Sequence, residues 1–138
     1  MKTPFTELTL RAQPSLPNFE EPRCFVFGSD DAVRRVYGVD SFQPRVDFAA
    51  AVLVAVHRGM ARTGGYGIHV EAIEVNDQRV TLRIRRTDPP AGAFVTAVLT
   101  YPLTFIRLER SDLGGLGPWT FEFHDEKGHL FATVHEQV

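Results

Sequence analysis

Residues 50–57 read Ala-Ala-Val-Leu-Val-Ala-Val-His, with Val52, Val54 and Val56 at one parity and Leu53 and Ala55 at the other. A strand sends alternate side chains to opposite faces, so this stretch is predicted to be a strand buried on both sides at the centre of a sheet. A buried helix is the competing form. The density of β-branched residues and the glycine at Gly59 favour the strand.

A strand of that kind needs cover on both faces. A chain of 138 residues has the size of one domain and is long enough to bury about two-thirds of its unfolded surface, so a single domain over 1–138 is expected. With 43% hydrophobic and 23% charged residues, the composition excludes wholesale disorder and collagen-like repeats. The charge-free run near the middle, residues 48–56, is far short of the roughly 18 residues of a transmembrane helix. No membrane span is expected.

The remaining chain is punctuated by nine prolines and eleven glycines, and the segments between them are rich in Val, Ile, Phe and Thr. That is the pattern of a mostly β protein, either a β-sandwich or a curved antiparallel sheet. One short helix is predicted at about residues 30–37. Ser29 is its N-cap, Asp30 and Asp31 suit its first turn, Arg34 and Arg35 its last, and Gly38 stops it.

Strands are read at residues 6–12 and 23–27. Residues 66–75 and 78–87 form a hairpin about Asn76-Asp77. Pairing Val75 with Gln78 sets Glu71 against Leu82 and His69 against Ile84, apolar against polar. A one-residue bulge near Ala72 or Ile73 repairs this, placing Val70 opposite Leu82 and Ile68 opposite Ile84, with His69, Glu71, Arg83 and Arg85 outside.

Residues 94–99 and 103–108 are two further apolar stretches, read as strands about the break at Thr100-Tyr101-Pro102. A last hairpin about residues 125–128 pairs Phe123 with Leu130, Phe121 with Ala132 and Trp119 with Val134. The predicted core is Phe25, Val33, Val52, Val54, Ile68, Val70, Leu82, Ile84, Phe105, Phe121 and Phe123.

The net charge of −2, spread evenly along the chain, argues against a protein built to grip nucleic acid. Cys24 stands alone, which excludes an intrachain disulfide, and it reads as a buried thiol. No signal-peptide pattern is present in the first 30 residues, so either a cytoplasmic protein or a processed exported one is expected. No serine has a nucleophile-elbow signature, and no catalytic residue is assigned.

His124 and His129 face each other at the mouth of the last hairpin beside Asp125, a constellation that fits a small metal- or ligand-binding domain. Exposed polar residues beside a turn are equally ordinary there, and no metal or cofactor is assigned. Arg79, Arg83 and Arg85 share a strand face with Thr81. Cross-strand ion pairs with Glu71 and His69 explain them better than an anion-binding stripe.

The segment Arg62-Thr63-Gly64-Gly65-Tyr66 reads as a loop in which Gly64 and Gly65 are expected to take positive φ. It lacks the Lys-Ser/Thr ending of a phosphate loop. From Val46 the chain presents Val46-Asp47-Phe48, then a buried strand ending in His57-Arg58-Gly59. Arg62-Thr63-Gly64-Gly65-Tyr66 follows, then a hairpin, Asp88-Pro89-Pro90-Ala91-Gly92 and Thr100-Tyr101-Pro102. This order and spacing resemble the PrcB C-terminal domain family, most strongly over residues 46–109.

The resemblance implies a non-enzymatic accessory domain, in the named case part of a subunit that associates with and stabilises a protease. A more distant similarity is to chagasin-type peptidase inhibitors, which implies inhibition as the alternative. Arg62, Thr63, Gly64, Gly65, Tyr66, Tyr101 and Pro102 are the expected partner-binding residues. Both tyrosines offer large contact area at low rotamer cost, and the two loops are expected at one end of the fold.

Overall fold

The computed structural model describes residues 3–8, 16–38, 45–114 and 117–137. Two four-stranded sheets stack into a sandwich, with β1 (Thr6–Leu8), β2 (Arg23–Phe27), β3 (Ala51–His57) and β6 (Leu103–Glu109) in one and β4 (Gly67–Asn76), β5 (Arg79–Thr87), β7 (Pro118–His124) and β8 (Leu130–Gln137) in the other. The first has the order β1-β6-β3-β2 and the second β4-β5-β7-β8. All pairings are antiparallel except β5 with β7, which is parallel, so a purely antiparallel sheet is corrected at that one place. The reading of residues 6–12 as a strand holds for Thr6–Leu8, and the rest of it lies outside the described residues.

Every residue of β3 is buried. Val52, Val54 and Val56 point into the core between the sheets, with Ile106 and Leu108 beside them and Ile84, Leu82, Phe121 and Phe123 opposite. Ala51, Leu53 and Ala55 point the other way, into a second core closed by α1 (Asp30–Tyr37) through Val33 and Tyr37. The two-sided hydrophobicity of β3 thus comes from a three-layer arrangement of helix, sheet and sheet.

The helix begins where its cap predicts. Ser29 Oγ accepts the Ala32 N–H at 3.1 Å, and Gly38, at φ 69°, donates its N–H to the Arg34 carbonyl at 2.8 Å. Of the predicted core, all are buried except Phe25, which is half-buried on an edge strand. Cys24 is also half-buried, packed against the inter-sheet core from the same edge strand.

The β4–β5 hairpin carries a bulge, at Glu71 between Val70 and Ala72 and so one residue before the expected Ala72 or Ile73, and the expected pairs Val70–Leu82 and Ile68–Ile84 do not form. Its turn is Asp77-Gln78 rather than Asn76-Asp77, with both residues at positive φ (49° and 60°). Val70 therefore meets Ile84, and Ile73 meets Leu82. The last hairpin is also displaced: Phe123 pairs with Ala132, Phe121 with Val134 and Trp119 with Glu136. Its loop is organised by Asp125, whose Oδ1 accepts the N–H groups of Lys127 and His129, both at 2.9 Å, and a bulge follows at Phe131.

Residues 94–99 are not a strand. They run in a loop between β5 and β6 that joins no sheet and bends back at Val98, whose N–H donates to the Thr96 carbonyl at 2.9 Å, and residues 90–99 are exposed. Among the described residues no helix is long and apolar enough to cross a membrane.

Candidate functional site

The β3–β4 loop, residues 58–66, and the β5–β6 loop, residues 88–102, lie side by side at one end of the sandwich. Ala61 and Thr100 exchange backbone hydrogen bonds at 2.8 Å in both directions. The Thr100 hydroxyl donates to the Thr63 carbonyl at 2.8 Å, and the Gly64 N–H donates to the Thr96 carbonyl at 2.9 Å. The Arg58 N–H donates to the Pro102 carbonyl at 2.9 Å. The structure therefore brings Thr63 and Gly64 together with the approach to Tyr101-Pro102.

Arg58 ties this end to the sheet below. Its guanidinium donates to the carbonyls of Gly67 (3.0 Å) and Thr87 (2.7 Å), pairs with Asp88, and lies 4.9 Å from the centre of the Tyr66 ring. One side chain thus joins the first residue of β4, the last of β5 and both loops.

Gly65 has φ 90°, while Gly64 does not share the positive φ expected of it. A Cβ on Gly65 would stand 2.9 Å from Pro89 Cβ and 3.3 Å from Val95 Cγ1, so the glycine is what lets the second loop close onto the first. Gly59, at φ 102°, similarly admits the backbone of Glu20 and Glu21.

Arg62 and Gly65 are exposed, whereas Thr63, Gly64, Tyr66, Tyr101 and Pro102 are half-buried. The largest exposed apolar side chains at this end are ones the sequence reading did not select. Phe94 is fully exposed, and Met60, Val95, Val98 and Leu99 are exposed as well. The signal was present in the charge-free run 89–106, which is longer than the run 48–56. Its apolar residues read as a strand, and only the tertiary structure shows that residues 94–99 pair with no strand.

The other candidates resolve into local contacts. Arg83 faces Glu71 at 3.8 Å and Arg79 faces Glu122 at 3.6 Å, so two of the three arginines of the basic stripe have carboxylate partners, and His69 Nδ1 is hydrogen-bonded to Glu7 at 2.9 Å. His124 turns to Glu122 (3.5 Å) and His129 to Asp125 (3.8 Å), and in the register found His124 pairs with Leu130 instead of His129. Among the described residues no group of three or more His, Cys, Asp or Glu converges as a metal site would require.

Fold and site together define a class: a β-sandwich with a helix on one face and two interlocked, largely uncharged loops at one end. Residues 52–109, somewhat under half of the chain, match the family model described as PrcB C-terminal. The matched stretch runs from β3 through β6 and contains both loops. That family is of the accessory type and not a known catalytic one. No curated protein and no solved structure matches the chain at a significant level.

Proposed function

We propose that this chain is a single non-enzymatic interaction domain that docks onto a protein partner through the end formed by residues 58–66 and 88–102. The observation that carries this reading is Phe94, an aromatic ring left wholly in water on a loop whose base is held by cross-loop hydrogen bonds. Contiguous exposed apolar surface on a small protein marks an interaction site more often than chance, and aromatic side chains dominate binding energy where they become buried. Arg62, Thr63, Gly64, Gly65, Tyr66, Tyr101 and Pro102 form the flank and support of this surface. The PrcB resemblance supports a protease as the partner and stabilisation as the role.

A second reading, inhibition of a peptidase, draws on the adjacency of the Thr63–Gly64 and Thr100 segments at one end. One experiment addresses both. The chain is used to capture proteins from lysate of its source, and the captured material is assayed for peptidase activity with and without added chain. An accessory role expects a captured peptidase whose activity persists longer with the chain present, while inhibition expects that activity to fall. Capture that is unchanged by Phe94→Ser and Tyr66→Ala, with both variants folded, would remove this surface from consideration.

A further inference from the structure

At the other face of the first sheet, the Tyr37 hydroxyl lies 2.6 Å from His57 Nε2, and both side chains are buried. The pair joins the last residue of α1 to the last residue of β3. Among the described residues the ring contacts of the imidazole, besides Tyr37, are Phe19 at 4.8 Å and Phe25 at 5.8 Å, with Phe105 further off at 6.2 Å between centroids. Among the described residues, the elements packed here supply little to balance a positive charge: the segment at residues 16–22 brings Phe19 against the ring, and its Glu20 and Glu21 are exposed. From α1 the titratable neighbour is Tyr37; from β2 it is Arg23, opposite His57 in the ladder, whose cationic head reaches out toward Glu21 and the Pro22 carbonyl. From β6 it is none, since Leu103 and Phe105 occupy that side. Among the described residues no carboxylate is paired with His57.

This core is separate from the one between the sheets. Phe27, Val33, Tyr37, Val46, Leu53 and Phe105 make up the outer cluster, while the inner one holds Trp119, Leu82, Ile84 and their neighbours. We infer that Tyr37 and His57 form an acid-release latch, which lets go of α1 and the segment at residues 16–22 while the core between the two sheets stays packed.

The proton balance is simple. In the closed state the hydroxyl donates to the Nε2 lone pair of a neutral imidazole, with the ring proton on Nδ1. A proton taken from solvent fills that lone pair, so Nε2–H now donates to the hydroxyl oxygen, the hydroxyl proton loses its acceptor, and the imidazolium is held without a paired carboxylate among the described residues until the helix layer opens to water. Burial lowers the His57 pKa from 6.5 to about 4. Because the closed form binds the proton more weakly, closure is at full strength above pH 6.5 and weakens as pH falls toward 4. The closing equilibrium drops by a factor that approaches about 300 only well below pH 4.

The latch is independent of any partner, so it is tested on the isolated chain. Backbone amide NMR signals of Val33, Arg35 and Tyr37 report on the helix, and fluorescence of Trp119, the single tryptophan, reports on the inner core. Titration from pH 7.5 to 3.5 is expected to shift the helix signals to unfolded positions before Trp119 responds. His57→Gln retains an acceptor without a proton site in this range and is expected to move helix release to lower pH. A single transition shared by α1 and Trp119, or a His57→Gln chain that follows the unsubstituted profile, overturns the latch. If His57→Gln does not fold at neutral pH, Tyr37→Phe serves instead: it keeps the imidazole, removes the donor, and is expected to raise the pH of release. An unchanged release pH in Tyr37→Phe also overturns it.

Discussion

Arg58 sits over the Tyr66 ring at 4.9 Å while its guanidinium fills the carbonyls of Gly67 and Thr87. The side chain is only 18% exposed, so these are shielded, charge-assisted contacts. Replacing Arg58 by Met keeps most of the aliphatic packing and leaves two carbonyls without their donor. The expected loss is about 2 to 4 kcal/mol in urea unfolding. An unfolding midpoint equal to that of the unsubstituted chain would show that water replaces the guanidinium without cost.

Gly65→Ala is expected to destabilise by about 1 to 3 kcal/mol, because alanine disfavours φ 90° and its Cβ would meet Pro89 at 2.9 Å. The change should be local as well. Amide signals of Thr63, Thr96 and Thr100 should move more than those of β7 and β8, and NMR spectra of the variant check this.

The two hairpins show what the residue pattern specifies and what it leaves open. Reading Val75 against Gln78 with a bulge near Ala72 or Ile73, and Phe123 against Leu130, gave both hairpins the correct faces, yet the structure pairs Val75 with Val80 and Phe123 with Ala132, each displaced by two residues. A slip of two preserves every inward and outward position, because side chains alternate with period two, so alternation has no power against it. Turn chemistry sets the rest: Asp77 and Gln78 both adopt positive φ, and the Asp125 carboxylate holds a longer loop. The need for a bulge was legible because its absence would have changed faces, but its place at Glu71, one residue before the expected Ala72, was not. The helix was legible from Ser29 and Gly38, whose capping chemistry is local. Phe94 was not legible, since the same apolar run suits a strand, and only the absence of a pairing strand exposes it.

Cys24 faces the inter-sheet core from an edge strand, and burial pushes its thiol up to about 12. At pH 8 almost no thiolate is present, so modification by a thiol-specific disulfide reagent should be far slower than for an unfolded chain. Cys24→Ala is expected to lower stability by about 1 kcal/mol and to leave partner capture intact. Loss of a measured activity with an unchanged Tm would assign the thiol a functional part.

Glu126 receives the Arg86 guanidinium at 2.9 Å, and this hydrogen bond, foremost, holds its carboxyl down to about 2 from an ordinary 4.5. A lowered carboxylate pKa contributes stability above pH 4.5 that is lost as pH falls through 2. Both side chains are about a third or more exposed, so solvent screening keeps the contribution below about 1 kcal/mol. Glu126→Gln should therefore be slightly less stable at pH 6 and indistinguishable near pH 2. A gap that persists at pH 2 would mean that the amide loses something other than the ion pair.

Phe94 and Phe123 are the same residue type in opposite surroundings, one fully exposed and the other fully buried between the sheets. Phe123→Ala removes a ring from close packing and is expected to cost about 3 to 5 kcal/mol, the usual range for a core phenylalanine. Phe94→Ser removes a ring that touches water, so its stability should stay within about 0.5 kcal/mol of the unsubstituted chain. If the ring is held exposed for a partner, the ranking inverts in a binding measurement, where Phe94→Ser loses capture and its stability curve does not move. Urea unfolding of both variants, followed by Trp119 fluorescence, checks the first half. A clear destabilisation by Phe94→Ser would mean that the loop folds back onto the sandwich in solution, and the exposed apolar surface on which the docking reading rests would not exist there.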